Sequence, residues 1–412
     1  MKGVANDRLG IYVSIPFCRS KCTYCNFASG VYPASEHGRY VQRLQEDVAG
    51  AGRWAAQLEL DLPRTVDSIY LGGGTPSLLE PEWIAQLFQA LRGEFSLEPD
   101  AEITVECAPG QMAGETLEAM ARAGVNRVSL GVQSFIDREA QVSGRLHSRA
   151  VVLDDLRRLR EAGIRNLNVD LIAGLAGQTF ASWQESLEVL LESDLPHASV
   201  YMLEVDEDSR LGREMLAGGA RYHAELVPSD DAIARMYEVA LERLEAAGLK
   251  QYEISNFARR GRASRHNLRY WERKPYLGLG LDAASMLREA NGDGSGYVLR
   301  ATMTDDLQAY LAGPEPPETA WLSPERQHEE AWFLGLRRNS GVNLAGLRRE
   351  FDREPVARML EAVARLTERE LLRSDGKTVR LTPQGRLLSN DVFQEFLGAA
   401  EEVESGRIAA RG

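Results

Sequence analysis

The stretch Ile15-Pro-Phe-Cys-Arg-Ser-Lys-Cys-Thr-Tyr-Cys-Asn-Phe27 holds three of the four cysteines of the chain, Cys18, Cys22 and Cys25. The apolar run Ile11-Tyr-Val-Ser-Ile-Pro-Phe17 leads into it and predicts a β-strand that ends at Pro16. The cysteines then lie on the loop beyond the C-terminal end of this strand, where α/β folds carry their functional groups. Three thiolates this close in sequence predict one shared metal centre.

The spacing Cys-x3-Cys-x2-Cys supplies three ligands, whereas a closed zinc site or an ordinary four-iron cluster takes four. One metal position is therefore free to bind a small molecule. This spacing, with Tyr24 just before the third cysteine, resembles that of the radical SAM superfamily, whose reduced cluster cleaves S-adenosylmethionine to a 5′-deoxyadenosyl radical. The alternative is a zinc site completed by Cys107 or a histidine, although zinc ligands usually come as two separated pairs.

Composition indicates an ordinary globular protein of two or three domains, with 412 residues, 44% of them hydrophobic and 26% charged. The net charge of −13 argues against a general nucleic-acid binder, which carries a basic face. Crowded cysteines that act as ligands indicate a reducing compartment. The first ten residues contain no apolar signal core, and no apolar run reaches transmembrane length. We therefore expect a soluble cytoplasmic protein without a transmembrane segment.

Six apolar segments alternate with helical patterns in the first half of the chain. This alternation predicts a parallel sheet with right-handed crossovers and fits a partial (β/α)6 barrel over residues 1–215, although a doubly wound sheet gives the same pattern. The predicted strands are Ile11–Phe17, Ser68–Leu71, Glu102–Glu106, Arg127–Gly131, Asn166–Ile172 and Ala198–Leu203.

Polar residues and glycines stand at the ends of several of these strands. They are Gly72 to Thr75 after the second strand, Glu106 at the end of the third, Gln133 just past the fourth and Asp170 within the fifth. Taken singly, each is explained as a turn or as a helix cap. Their repetition at the same end of a barrel predicts that they converge over the cysteine loop.

The remainder of the chain divides into two further predicted parts. Residues 216–310 extend the barrel and include the basic and aromatic segment Arg262 to Trp271. The proline-rich linker Leu311–Thr319 marks a boundary, and residues 311–412 form a C-terminal domain. Three helices and a hairpin that turns at Asp375-Gly376 predict a winged-helix-like α+β module. Its acidic residues are interspersed with its arginines, which favours a packing or partner role over DNA binding.

Seven segments between Leu9 and Leu397 together resemble the oxygen-independent coproporphyrinogen III oxidase family and, within it, the HemW haem-chaperone branch. They are Tyr12–Cys18, Tyr70–Ser77, Gly131–Phe135, Gly144–His147, Asp170–Leu175, Arg265–Trp271 and Leu388–Asn390. The decarboxylating oxidases of this family carry a fourth cysteine where this chain has Phe27. They also lack the His-Asn-x-x-Tyr-Trp segment found here at His266 to Trp271. Both features favour the chaperone branch.

The resemblance implies a radical SAM barrel in which Cys18, Cys22 and Cys25 hold a [4Fe-4S] cluster. The residues that it implies for the first S-adenosylmethionine are Tyr12, Gly73, Gly74, Thr75 and Glu106. The residues that match a second cofactor position in the oxidase are Tyr24, Gln133, Arg145 and Asp170. Whether this chain keeps that second position is open.

The resemblance also implies haem as a ligand, with His266 as an axial ligand of the iron. The alternative for His266 is a hydrogen-bonded structural histidine. The implied partners are haem and a haem-acceptor protein, with a membrane respiratory protein among the candidates, and a homodimer is left open. Two other functions also stay open at this point: a radical enzyme that decarboxylates porphyrin propionates, and a nucleic-acid regulator with the cluster as sensor.

Overall fold

The computed structural model describes residues 8–290, 296–314, 316–351 and 353–397. The first half of the chain forms β1 (Arg8–Ile15), α1 (Ser35–Gln57), β2 (Leu60–Asp61), β3 (Thr65–Gly73), α2 (Pro81–Glu94), β4 (Ser96–Cys107), α3 (Gly114–Arg122), β5 (Arg127–Gln133), α4 (Asp137–Val142), α5 (Arg149–Glu161), β6 (Asn166–Ala173), α6 (Phe180–Glu192) and β7 (His197–Met202). Each long helix returns the chain so that the next strand runs parallel to the one before it.

The second half of the chain adds strands to both edges of the sheet and then forms a separate module. Its elements are α7 (Arg210–Leu216), α8 (Asp230–Ala246), β8 (Lys250–Glu253), β9 (Asn256–Ala258), α9 (Arg265–Trp271), β10 (Tyr276–Leu279), β11 (Ala284–Glu289), β12 (Val298–Thr302), α10 (Leu307–Ala312), β13 (Glu318–Leu322), α11 (Pro324–Arg337), β14 (Val342–Asn343), α12 (Leu344–Glu350), α13 (Arg353–Glu368), β15 (Leu372–Ser374), β16 (Thr378–Leu381), α14 (Pro383–Leu387) and α15 (Ser389–Gln394).

The large sheet has the strand order β13-β12-β11-β10-β1-β3-β4-β5-β6-β7-β9-β8, and β2 pairs with β11. The strands from β10 to β7 in this order are parallel, while β11 to β13 and the β8–β9 hairpin are antiparallel additions at the two edges. The six strands expected from the sequence are all present and parallel, as the sequence predicts for an α/β partial barrel. A seventh parallel strand, β10, pairs with β1 and was not expected.

The main core lies between the sheet and its helices. From α1, Tyr40, Val41 and Leu44 are fully buried against the sheet. The Tyr40 hydroxyl donates to Ser14 O at 2.8 Å and accepts from Leu281 N at 2.8 Å, so it joins α1 to both β1 and the segment after β10. None of the helices within the described residues combines the length and the apolar character needed to span a bilayer.

The C-terminal module has its own hydrophobic cluster around Trp332, whose ring stacks on Phe396 at a centroid distance of 5.2 Å. Helices α11, α12 and α13 and the sheet β14-β16-β15 match the predicted three helices and hairpin. The predicted linker runs from α10 to β13, and β13 still pairs with β12 of the large sheet. Arg338 Nη1 lies 2.7 Å from Glu272 Oε1 and ties the module to the segment after α9.

We expect Gly278→Ala to destabilise the fold by about 1–3 kcal/mol, the usual cost of forcing extra atoms into a packed site. A Cβ at residue 278 would lie 2.1 Å from the carbonyl oxygen of Ala284, a backbone atom that cannot move without parting β10 from β11. Chemical unfolding followed by circular dichroism measures the change.

Gly93→Ala is the matched control, because a Cβ there meets nothing within 4 Å and the residue lies in α2. Alanine is the better helix former, so this variant should gain slightly in stability. Equal unfolding midpoints for the two variants would show that the close approach of β10 and β11 is not a constraint.

Candidate functional site

The loop between β1 and α1 carries the three cysteines and is held in place by its own backbone and by Lys21. Cys18 N donates to Gly30 O at 2.8 Å, and Gly30 N donates to Pro16 O at 2.9 Å, which closes the base of the loop. Lys21 Nζ donates to the carbonyl oxygens of Phe27 and Ser29 at 3.1 and 3.0 Å. The loop is therefore shaped by main-chain contacts, which leave the thiols free for other partners.

The glycine-rich end of β3 lies directly against this loop. Gly74 N donates to Ile15 O and Thr75 N to Phe17 O, both at 2.8 Å. A Cβ at residue 74 would be 2.8 Å from both of these acceptor oxygens, so only glycine fits here. The Thr75 hydroxyl lies 3.9 Å from Cys18 Sγ. The glycine run and the cysteine loop thus form one unit.

A cavity of about 940 Å³ opens at the C-terminal ends of the parallel strands, and the three loop cysteines line it together with Cys107. This volume is at the upper end of the usual range for small-molecule sites. The structure brings together at this cavity most of the predicted site residues: Cys18, Cys22, Cys25, Tyr24, Gly73, Gly74, Thr75, Glu106, Gln133, Arg145 and Asp170. Tyr12 is one step removed, since its ring stacks on Tyr70 of the cavity wall at 6.1 Å.

The donor set suits an iron–sulfur cluster better than a single ion. In a four-iron cluster each thiolate binds a different iron, so the three cysteines of this loop match such a cluster with one coordination position left open. Cys107 is buried in the main core, where burial raises the pKa of its thiol to about 12. A buried protonated thiol is a poor fourth ligand for zinc.

Glu106 ends β4 with its carboxylate in the cavity wall. Its Oε1 accepts from the Tyr70 hydroxyl at 2.7 Å, and its Oε2 accepts from Gly73 N at 3.2 Å. Burial raises the pKa of Glu106 to about 7; the hydrogen bond from Tyr70 offsets part of this rise, and nearby Asp170 adds to it. The carboxylate is thus placed to accept a cationic or hydrogen-bonding ligand, which would favour its charged form.

The residues predicted for a second cofactor position lie on the same cavity. Arg145 Nη1 lies 3.5 Å from Cys22 Sγ, and its other terminal nitrogen donates to Gly131 O. The Gln133 side-chain oxygen is buried and has no hydrogen-bond partner, and Gln133 has a positive φ of 68°. The Tyr24 hydroxyl is also buried, with the Cys22 thiol beside it. Unpaired buried polar atoms at a cavity indicate that a ligand completes their hydrogen bonding.

A network of polar side chains that line the inner part of the cavity was not predicted. Asn168 Nδ2 donates to Ser129 Oγ at 2.6 Å, to Asp170 Oδ1 at 2.8 Å and to Ser199 Oγ at 3.0 Å. Burial raises the pKa of Asp170, and hydrogen bonds from these hydroxyl and amide groups oppose that rise. The guanidinium of Arg127 is buried at the same level. The available sequence signal was polar residues at every second position, 166, 168 and 170, in a strand that is otherwise apolar.

His266 packs on the same face of the sheet as Tyr70, towards the other end of β3, and is not among the residues that line the cavity. It is fully buried on α9, with Nδ1 3.0 Å from Ser68 Oγ and Nε2 2.8 Å from the Tyr270 hydroxyl. Burial lowers the pKa of His266 to about 3, so the ring is neutral and its one donor and one acceptor are both used. Its ring also lies 5.4 Å from that of Tyr70. These contacts favour the structural alternative over an iron ligand.

Residues 12–190 match the radical SAM superfamily, and residues 322–388 match the HemN C-terminal domain. The heme chaperone HemW of Bacillus subtilis is 34% identical over 388 residues, which cover 94% of this chain and 98% of that protein. HemW of Lactococcus lactis is 33% identical over 389 residues, 94% of this chain and 96% of its own. This chain belongs to the HemW family. The resemblance drawn from the sequence motifs is confirmed.

The fold is also that of a solved oxidase. Coproporphyrinogen III oxidase (HemN) from Escherichia coli superposes with a TM-score of 0.79 over 94% of this chain and 90% of that one. The two sequences are 22% identical, so this likeness shows the radical SAM fold alone. The predicted fold class, a radical SAM barrel with a C-terminal HemN-type domain, is confirmed. Membership of the superfamily implies a [4Fe-4S] cluster and S-adenosylmethionine.

We expect Tyr70→Phe to raise the pKa of Glu106 above its value of about 7, because the variant removes the hydroxyl that stabilises the carboxylate. The fraction of ionised Glu106 at neutral pH should then fall. Infrared titration of the carboxylate band, assigned by difference from Glu106→Gln, measures the midpoint.

Tyr12→Phe is the control, since its ring is stacked on Tyr70 but its hydroxyl makes no hydrogen bond to Glu106. Its midpoint should stay close to that of the parent protein. A Tyr70→Phe midpoint that stays in place, or moves down, would contradict the geometry described for the carboxylate.

Proposed function

We propose that this chain is a haem chaperone that holds a [4Fe-4S] cluster, binds S-adenosylmethionine and haem, and delivers haem to an acceptor protein. The single observation that carries the proposal is the cavity at which three loop thiols meet the Gly73-Gly74-Thr75 turn and the Glu106 carboxylate. The names of the relatives support the choice of haem as cargo. A cytoplasmic location and an acceptor among membrane respiratory proteins belong to the same proposal.

Cys18, Cys22 and Cys25 would hold the cluster, which supplies one-electron chemistry and an open coordination position. Around it, Thr75 donates towards Cys18 and Arg145 towards Cys22, so both thiolates would keep hydrogen bonds that stabilise their charge. Lys21 fixes the loop through two carbonyl oxygens and is not needed as a ligand.

S-adenosylmethionine carries a sulfonium and an ammonium group, and we propose that the cavity binds it through complementary charge and open backbone. Glu106 offers a carboxylate, and Gly73 and Gly74 let the backbone of this turn pack directly against the cysteine loop, so that both line the cavity. Ionising Glu106 beside a cation restores its pKa towards the ordinary range. Tyr12 supports the pocket by stacking on Tyr70, and Gln133, Tyr24 and Asp170 offer polar groups for a second molecule.

The proposal divides the chain into a cluster-bearing barrel in residues 1–215, an extension in residues 216–310 and a C-terminal domain in residues 311–412. The last of these contributes Arg337 and Asn390 to the cavity wall. We propose that these groups meet the cargo end of the cavity, while the cysteine loop meets the cluster.

Two assays on one anaerobically reconstituted preparation test the function. We expect a stable haem complex with a Soret band, and transfer of that haem to an added apo-acceptor. We expect no decarboxylated vinyl product from coproporphyrinogen III with S-adenosylmethionine and a reductant. Product formation without haem retention would instead support the oxidase, and retention on DNA that weakens with salt would support the regulator.

Cys22→Ala should abolish the visible absorbance of the cluster and the bound iron, because only two thiolates remain to hold it. Cys107→Ala is the control: that thiol borders the cavity but is buried at the end of β4, outside the loop that carries the other three, so the variant should keep the cluster spectrum. Iron and zinc content and visible spectra of freshly isolated protein measure both. A full cluster spectrum in Cys22→Ala, or stoichiometric zinc in the parent, would overturn the cluster proposal.

The sequence prediction and the geometry give opposite results for His266→Ala. An axial ligand predicts weaker haem binding and a shifted Soret band. The buried contacts with Ser68 and Tyr270 instead predict a loss of stability, about 1–3 kcal/mol for the partners left unpaired, with haem affinity per folded molecule unchanged. Haem titration and thermal unfolding of the same variant decide between them, and we expect the second result.

A further inference from the structure

A second cleft, of about 620 Å³, lies at the opposite end of the sheet from the cysteine cavity. Its lining residues come from the end of α5, from the loops before β6 and β7, and from the turn after β9. All of these segments adjoin the N-terminal ends of β6 and β7, whereas the cysteine cavity lies at the C-terminal ends. A ligand bound in the cysteine cavity therefore does not reach this cleft, and the role of the cleft is independent of the proposed function.

Five arginines line the cleft: Arg160, Arg165, Arg259, Arg260 and Arg262. All are exposed. The whole chain has a net charge of −13, so this cleft is a locally positive surface on a negatively charged protein. Asp194 is the carboxylate that lines the cleft, so within the described residues the cleft keeps an excess of four positive charges.

Two of the arginines are fixed by the fold. Arg160 donates to the carbonyl oxygens of Ser193 and Asp194, and Arg259 donates to Asp194 Oδ1 at 2.5 Å and to Leu195 O at 3.4 Å. These contacts hold the loop before β7 between two guanidinium groups. They also pair Asp194, which is therefore not available to neutralise the other arginines of the cleft.

The charges of the other three arginines are not neutralised by a neighbouring carboxylate of the described residues. The side chains of Arg165, Arg260 and Arg262 make no hydrogen bond or ion pair with any of the residues that the structure describes. They stand on two different segments, brought together by the pairing of β9 with β7. The sheet therefore places three unpaired guanidinium groups around one concavity, which is an arrangement that recognises several anionic groups at once.

The residues that line the cleft favour one class of anionic partner over the others. It contains no aromatic ring on which the bases of a single-stranded nucleic acid could stack. It contains no large apolar side chain that could enter a bilayer, and its concave shape does not match a flat lipid surface. A protruding polypeptide segment with several carboxylates fits both the shape and the planar, bidentate donors.

We propose that this arginine cleft docks an acidic segment of a partner protein. Arg160 and Arg259 shape the cleft, and Arg165, Arg260 and Arg262 pair with the carboxylates. Because these pairs are exposed to solvent, binding is fast, weak and sensitive to salt.

The test uses the full-length chain and a fluorescein-labelled polyglutamate peptide as the probe, with binding followed by fluorescence anisotropy at low ionic strength. The variant is Arg165→Gln/Arg260→Gln/Arg262→Gln, which leaves the two structural arginines in place. We expect the peptide affinity to fall by at least about tenfold and its salt dependence to weaken, as for the loss of three exposed ion pairs.

Arg157→Gln is the matched control, because Arg157 is an exposed arginine on α5 whose charge is already paired with Asp154 and Glu161. It should bind the peptide within about twofold of the parent protein, as expected for a surface pair of little net energy. Circular dichroism checks that each variant is folded.

Failure of the parent protein to bind the peptide, or equal binding by the triple variant, would overturn the proposal. A third outcome would also overturn it: the parent protein binds an RNA oligonucleotide or vesicles of anionic lipid but not the peptide, and the triple variant loses that binding. Loss of inorganic phosphate binding alone would reduce the cleft to a small-anion site and would overturn it as well.

Discussion

The contact between the glycine end of β3 and the loop after β1 is the constraint on which the rest of the site depends. Two main-chain hydrogen bonds, from Gly74 to Ile15 and from Thr75 to Phe17, join the segments, and a side chain at residue 74 would collide with both acceptors. The position of the thiols therefore depends on how β1 and β3 pair, because these two hydrogen bonds hold the loop against the ends of both strands. Hydrogen bonds join the cysteine loop to the glycine run and the glycine run to Glu106, which is the condition for a preorganised site.

The cavity wall carries an unusual amount of buried charge for a sheet interior. Arg127 is buried, Glu106 and Asp170 are half-buried in the cavity wall, and burial raises the pKa values of both carboxylic acids. Hydrogen bonds from Tyr70, Ser129 and Asn168 offset part of that cost. A fold keeps such groups when a ligand repays their desolvation, because apolar residues of similar volume would otherwise be as stable or more so.

The sequence was sufficient for the parallel strands, since each has apolar residues at least at alternate positions and the strands alternate with helical patterns. It was not sufficient for β10, which is four residues long and interrupted by Gly278, or for the two-residue β2; pairing with distant strands is what makes these segments extended. The convergence of Glu106, Gln133 and Asp170 followed from strand-end positions. The surroundings of His266 could not be predicted in this way. A histidine among polar and aromatic neighbours has the same sequence pattern in a ligand pocket and in a buried hydrogen-bond chain. Only the partners of its two ring nitrogens separate these alternatives.

Two parts of the molecule, each with its own hydrophobic core, form the cavity wall. The part built on the large sheet supplies the thiols and carboxylates, while Arg337 and Asn390 belong to the small C-terminal module. Arg337 also lies over the ring of Trp271 at 4.4 Å, which couples that module to α9. One side of the cavity wall is thus formed by a part of the molecule that contributes no thiol. Substitutions at residues 337 and 390 can therefore change the shape and charge of that wall while the cysteine loop keeps its own main-chain contacts.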